Sequence, residues 1–76
     1  MATWRCYYTL PDGQLLRDQE RHESEIEALL WSQIIQSDPD DYYLRAKSGE
    51  HIPARLVVDC ARLSIRPVRR RGLAAA

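Results

Sequence analysis

Residues 3–10 alternate, placing Trp4, Cys6, Tyr8 and Leu10 on one side of an extended chain and Thr3, Arg5, Tyr7 and Thr9 on the other. A period of two over eight residues is the mark of a half-buried β-strand, and the first set is the expected inward face. Leu10-Pro11-Asp12-Gly13 follows, with a proline whose fixed φ suits the second position of a turn and a glycine that accepts positive φ. The chain is therefore predicted to reverse into a second strand beginning at Leu15 and Leu16. From Arg17 to Glu23 no apolar residue occurs, so any pairing there is expected at an exposed edge with a solvated far end.

At Ser24 the period changes. Ser24-Glu25-Ile26-Glu27 fits a capping box, in which the serine hydroxyl accepts from the residue 27 amide and the Glu27 carboxylate returns to the residue 24 amide. Glu23, Glu25 and Glu27 lie at the positive end of the helix dipole, which gives part of the acidic charge a structural role. The helix is predicted to run to Ser37, before Pro39, which cannot continue the hydrogen-bond ladder and disfavours helical geometry at Asp38. On the helical wheel Ile26, Leu29, Leu30 and Ile34 form one stripe, the expected core face. Ala28, Trp31 and Ile35 fall on the other side, so the apolar surface is wider than one small sheet covers. Either Trp31 and Ile35 form an interface, tryptophan being enriched where binding energy concentrates, or residues 38–43 fold back and Tyr42 or Tyr43 covers Trp31.

Residues 42–47 are rich in strand-formers, Ser48-Gly49 reads as a turn, and residues 56–66 form a second β-prone stretch with Val57, Val58, Leu63 and Ile65. Asp59 falls on the inward parity of that stretch, which predicts a bulge or bend near Asp59-Cys60. Beyond it Leu63 and Ile65 alternate with Arg62, Ser64 and Arg66, so these arginines are expected on one face, and Pro67 limits further pairing. The order strand, strand, helix, strand, strand predicts an α+β fold: a small antiparallel sheet of three to four strands with one α-helix packed on one face. The expected domain is residues 1–68, with 69–76 a flexible Arg/Ala-rich C-terminal tail.

Charge sharpens this picture. Residues 1–41 hold nine acidic and three basic side chains, net −6, whereas residues 42–76 hold eight basic and two acidic, net +6. Segregation of this kind bears on association. The acidic groups Asp18, Glu20, Asp38, Asp40 and Asp41, together with Trp31 and Ile35, form the expected partner-binding set, for a protein partner or for a second copy in a homodimer. In that reading the chain is a small non-enzymatic interaction module, an inhibitor or accessory protein. The alternative is weak nucleic-acid binding by Arg62, Arg66, Arg69, Arg70 and Arg71, whose planar guanidinium groups suit phosphates. Of the pairs Tyr7-Tyr8 and Tyr42-Tyr43 one member each points outward, Tyr7 in the first; beside arginines such rings either stack on bases or, more commonly, pack cross-strand on the open face of the sheet.

Other chemistry finds little footing. Seventy-six residues bury only about 60% of the unfolded surface, which disfavours a large internal cleft. Ser24 is accounted for as a helix cap, His51 has no nucleophile beside it, and no glycine-rich phosphate loop occurs, so no catalytic residue is assigned. Cys6, His22, His51 and Cys60 lack the close spacing of structural zinc sites, and neither metal nor cofactor is expected. With no apolar leader and no apolar run near 20 residues, the chain reads as cytoplasmic and non-membrane, with both thiols free and buried.

Overall fold

The computed structural model describes residues 3–68, and the expected tail with Arg69, Arg70 and Arg71 lies outside the described residues. Within them, strand β1 (Thr3–Thr9) is followed by β2 (Leu15–Arg17), helix α1 (Glu25–Ser37), β3 (Tyr43–Ala46), β4 (His51–Pro53) and β5 (Arg62–Val68). Single 3-10 turns at Pro39–Asp41 and Ala54–Leu56 precede β3 and follow β4. The strands form one five-stranded sheet in the order β4-β3-β2-β1-β5, antiparallel at every junction, with α1 against one face. The α+β class holds with one more strand than expected.

That strand is β4, three residues too short to show a period, formed because Ser48-Gly49 closes a hairpin: Gly49 takes φ +94°, and its N–H donates to the Ala46 carbonyl at 2.9 Å. Gly13, at φ +92°, does the same for the first hairpin. The β-prone stretch begins later than its composition suggests. Residues 57–61 wind through turns in which Cys60 and Ala61 donate to the Val57 carbonyl, and Val57 plugs the core while Cys60 is exposed. The parity break at Asp59 thus reflects a turn preceding the strand, and the expectation of a buried Cys60 fails for the same reason.

The N-terminus of α1 is close to the predicted box. Ser24 Oγ accepts from the Glu27 N–H at 3.1 Å, while Glu27 Oε2 reaches one residue further back than expected, accepting from the Glu23 N–H at 3.1 Å. At the other end the Asp38 N–H closes onto the Ile34 carbonyl, and Pro39 starts the 3-10 turn.

The helix presents the opposite face from the one its larger stripe predicts. Ala28, Ser32 and Ile35 are buried against the sheet, whereas Ile26, Leu29, Leu30 and Ile34 are exposed, Ile26 by 70%. Small residues decide this, because Ala28 and Ser32 let the helix backbone descend close to β1, where Cys6 Sγ donates to the Ala28 carbonyl at 3.0 Å. Leucine at those positions would hold the helix away from β1. Beneath it lie Cys6, Tyr8, Leu16, Leu44 and Ala46, with Ala54 and Val57 closing one end. Full burial of Leu16, Ile35 and Leu44 contributes about 1.5–3 kcal/mol each.

Candidate functional site

Among the described residues, no element packs on the sheet face opposite the helix. Alternation along each strand sends Thr3, Arg5, Tyr7 and Thr9 of β1 to that face, and the cross-strand pairs carry the same side through the sheet. Arg17 pairs with Tyr7, Arg45 with Arg17, His51 with Arg45, and on the other flank Ser64 pairs with Tyr7 and Arg66 with Arg5. One row across the face therefore reads His51, Arg45, Arg17, Tyr7, Ser64, and beside it run Arg5, Arg66 and, across from Thr9, Arg62. Five arginines gather here, and none of the strand residues of this face is acidic.

The arginines are crowded and incompletely partnered. Burial, and secondarily the neighbouring Arg17, hold the Arg5 guanidinium below its usual range. Arg66 lies over the Tyr7 ring, its Cζ 5.2 Å from the centroid, and Arg45 Nη2 sits 3.3 Å from His51 Nε2. Arg5 Nε, Arg45 Nε and Ser64 Oγ are buried and have no hydrogen-bond partner among the described residues. Unpaired buried donors of this kind are costly unless something else engages them. Between the two hairpin turns the face dips into a groove of about 610 Å³, lined among others by Tyr7, Leu15, Arg17, Arg45, Lys47 and Ser48.

Of the nucleic-acid set, Arg62 and Arg66 stand on this face, and Arg69, Arg70 and Arg71 lie outside the described residues. Arg5, Arg17 and Arg45 were missed as members of the same surface. Summing charge along the chain assigns Arg5 and Arg17 to the acidic half, yet all three occupy the strand parity opposite the core residues.

The acidic set is dispersed in role. Asp18, Glu20, Trp31, Ile35 and Asp41 line one hollow of about 220 Å³ with Tyr42 nearby, but Asp18 and Ile35 are 1% and 2% exposed and form its floor. Those two are thus core residues, a correction to their expected place on a partner surface. Trp31 is half-buried, covered edge-on by Tyr42 with centroids 5.4 Å apart and flanked by His22 at 5.9 Å. The folded-back segment therefore accounts for Trp31. Asp40 is held by Arg55, with Nη2 to Oδ2 at 2.7 Å, a hydrogen bond that lowers its pKa, whereas a hydrogen bond to Asp41 raises that of Asp38.

Below the sheet, Cys6, Asp18 and His22 come together with ligand-type atoms within 4.8 Å of one another. All three are buried and engaged. His22 Nε2 lies 2.8 Å from Asp18 Oδ2, Asp18 Oδ1 accepts from the Glu20 N–H at 2.5 Å, and the Cys6 thiol donates to Ala28. Burial, reinforced by Asp18, pushes the Cys6 thiol up to about 12, so it stays protonated and is no nucleophile at neutral pH. Tertiary packing alone pairs Cys6 with Asp18, and no local spacing signals it. Their hydrogen bonds tie the β2–α1 connection to the core.

Among the described residues no helix is long and apolar enough to cross a membrane. Comparison with known proteins finds no matching family model, no matching curated protein and no matching solved structure.

Proposed function

We propose that this protein is a small non-enzymatic binding module whose open sheet face takes single-stranded nucleic acid. The observation that carries this reading is the joint placement of Arg5, Arg17, Arg45, Arg62 and Arg66 around Tyr7 on a face without acidic strand residues. Guanidinium groups contact phosphates and orient the strand, while an aromatic ring at the centre offers stacking to any base. A shallow, broad face suits unpaired bases that can splay onto it better than the regular grooves of a duplex. The strand positions of this face carry no acidic side chain, and Asp18 is buried on the helix side of the sheet.

Salt provides the test. Anisotropy of a labelled 15-nucleotide oligothymidine should show log affinity falling linearly with log salt, with a slope of about −3.5 if five phosphates are neutralised. Arg17→Ala and Arg45→Ala should each reduce the slope by about 0.7, whereas Tyr7→Ala should weaken binding about tenfold with the slope kept, through lost stacking. Absence of binding at 50 mM salt, or a Tyr7→Ala variant with unchanged affinity, overturns the reading.

A further inference from the structure

The outer edge of β5 and the apolar groove beside it form a second surface, distinct from the centre of the arginine face. In β1 the Trp4 backbone bonds to His22 and the Cys6 carbonyl accepts from Asp18, so the even residues of β1 turn their backbone groups away from β5. Thr3, Arg5, Tyr7 and Thr9 therefore bond to β5 through their partners Val68, Arg66, Ser64 and Arg62. It follows that Leu63, Ile65 and Pro67 direct their backbone groups outward. Pro67 has no N–H to offer and loses nothing there, but among the described residues Leu63 and Ile65 leave two donors and two acceptors unpaired on a seven-residue edge strand. The opposite edge differs: β4 has three residues and its outward positions are His51 and Pro53.

Directly above this free edge, Glu25, Ile26, Leu29, Leu63, Ser64 and Ile65 line a groove of about 300 Å³. Ile26, Leu29, Leu30 and Ile34 extend the apolar surface along the helix, and Leu63 is itself 37% exposed. A strand added to β5 would exchange hydrogen bonds with Leu63 and Ile65, and the residues opposite these two would point to the helix side, into the groove. Its alternate residues would point to the other side, beside Arg62, Ser64 and Arg66. Side-chain chemistry on both faces of the occupant is thereby specified: apolar towards α1, acidic towards the arginines.

The geometry points to β5 as the docking edge for an extended segment of a protein partner that alternates apolar and acidic residues. A second copy of this chain fits poorly. Two-fold antiparallel pairing centred on Ser64 opposes Arg62 to Arg66 of the second molecule, and centring on Ile65 sets Leu63 against a proline without a donor. Any such pairing also joins two arginine faces side by side.

A fluorescein-labelled ten-residue peptide alternating valine and glutamate, titrated against the protein, tests the proposal. The glutamate peptide should bind at least tenfold more tightly than its valine–lysine counterpart, and N-methylation of the valine amides should remove at least tenfold of that affinity. Leu63→Asp and, at a largely exposed position, Ile26→Glu should both weaken binding, while Arg17→Ala, separated from β5 by β1, should leave it unchanged although it weakens oligothymidine binding. Equal affinity for the two charge patterns, undiminished binding of the N-methylated peptide, or a stable dimer of the protein alone by light scattering overturns it.

Discussion

Cys6 shows how one side chain reports its surroundings. Its thiol is enclosed between β1 and α1 beside Asp18, so ionisation would place a charge in a buried site next to a carboxyl group. Because the folded-state pKa, about 12, lies above the unfolded value near 9, the group favours the native state fully below pH 9. That contribution is lost as the pH rises from 9 through 12. Thermal unfolding should therefore show an alkaline decline in this window that is shallower in Cys6→Ala, with Tyr8, also raised by burial, supplying the remainder. Alkylation at pH 8 under native conditions should label Cys60 alone, and two labels would mean that the β1–α1 contact opens. The burial of Cys6 is legible from alternation with Trp4, Tyr8 and Leu10. The exposure of Cys60 is not, because it depends on a turn held by Ala54 and Val57 carbonyls that composition does not announce.

At the scale of elements, local chemistry placed β1, the first hairpin and the helix boundaries, while packing reversed the helix and hairpin closure added β4. Period two exposes β1, the Pro11-Gly13 turn fixes the first hairpin, and Ser24 and Pro39 bracket α1; each signal resides in a few adjacent residues. Which helical face meets the sheet depends on how near the backbone must come, and a wheel weighted by hydrophobicity ranks Leu29 and Ile34 above Ala28 and Ser32. The two assignments make opposite predictions for urea unfolding. Ile34→Ala would cost about 2–5 kcal/mol in a core stripe, but at its exposed position it should cost within about 0.5 kcal/mol beyond propensity. Ala28→Leu should instead destabilise by about 1–3 kcal/mol, since the added methylenes meet β1. The exposed stripe also explains why the helix surface is too wide: one arc packs the sheet, and the other borders the β5 edge. The site was only partly legible for a related reason. Arg62 and Arg66 were readable as a pair because they share a strand, but joining them to Arg5, Arg17 and Arg45 needed the strand order.

Over the whole molecule, the split between an acidic first half and a basic second half becomes a split between faces. Glu25 and Glu27 crown the helix, Asp38, Asp40 and Asp41 gather at its far end, and Asp18 is interior, while strand parity collects five arginines on the open side. Balanced net charge therefore conceals a surface with strong repulsion among like charges. Arg17 stands across from Arg45 and also acts on Arg5, whose guanidinium is held below its usual range by burial and then by Arg17. Removing Arg17 should thus relieve the free protein. Arg17→Gln keeps the length and polarity of the side chain without its charge, and the thermal midpoint at 20 mM salt should rise by a few degrees, as about 0.5 kcal/mol would produce in a domain of this size. Because Arg17 itself is exposed, the gain should shrink at 0.5 M salt, where the screening length falls to about 4 Å. The same variant should bind oligothymidine less tightly, so stability and affinity move in opposite directions through one charge. A midpoint that falls at low salt would instead mean that Arg17 is held by favourable contacts, and that the crowding of this face is not the strain a bound polyanion relieves.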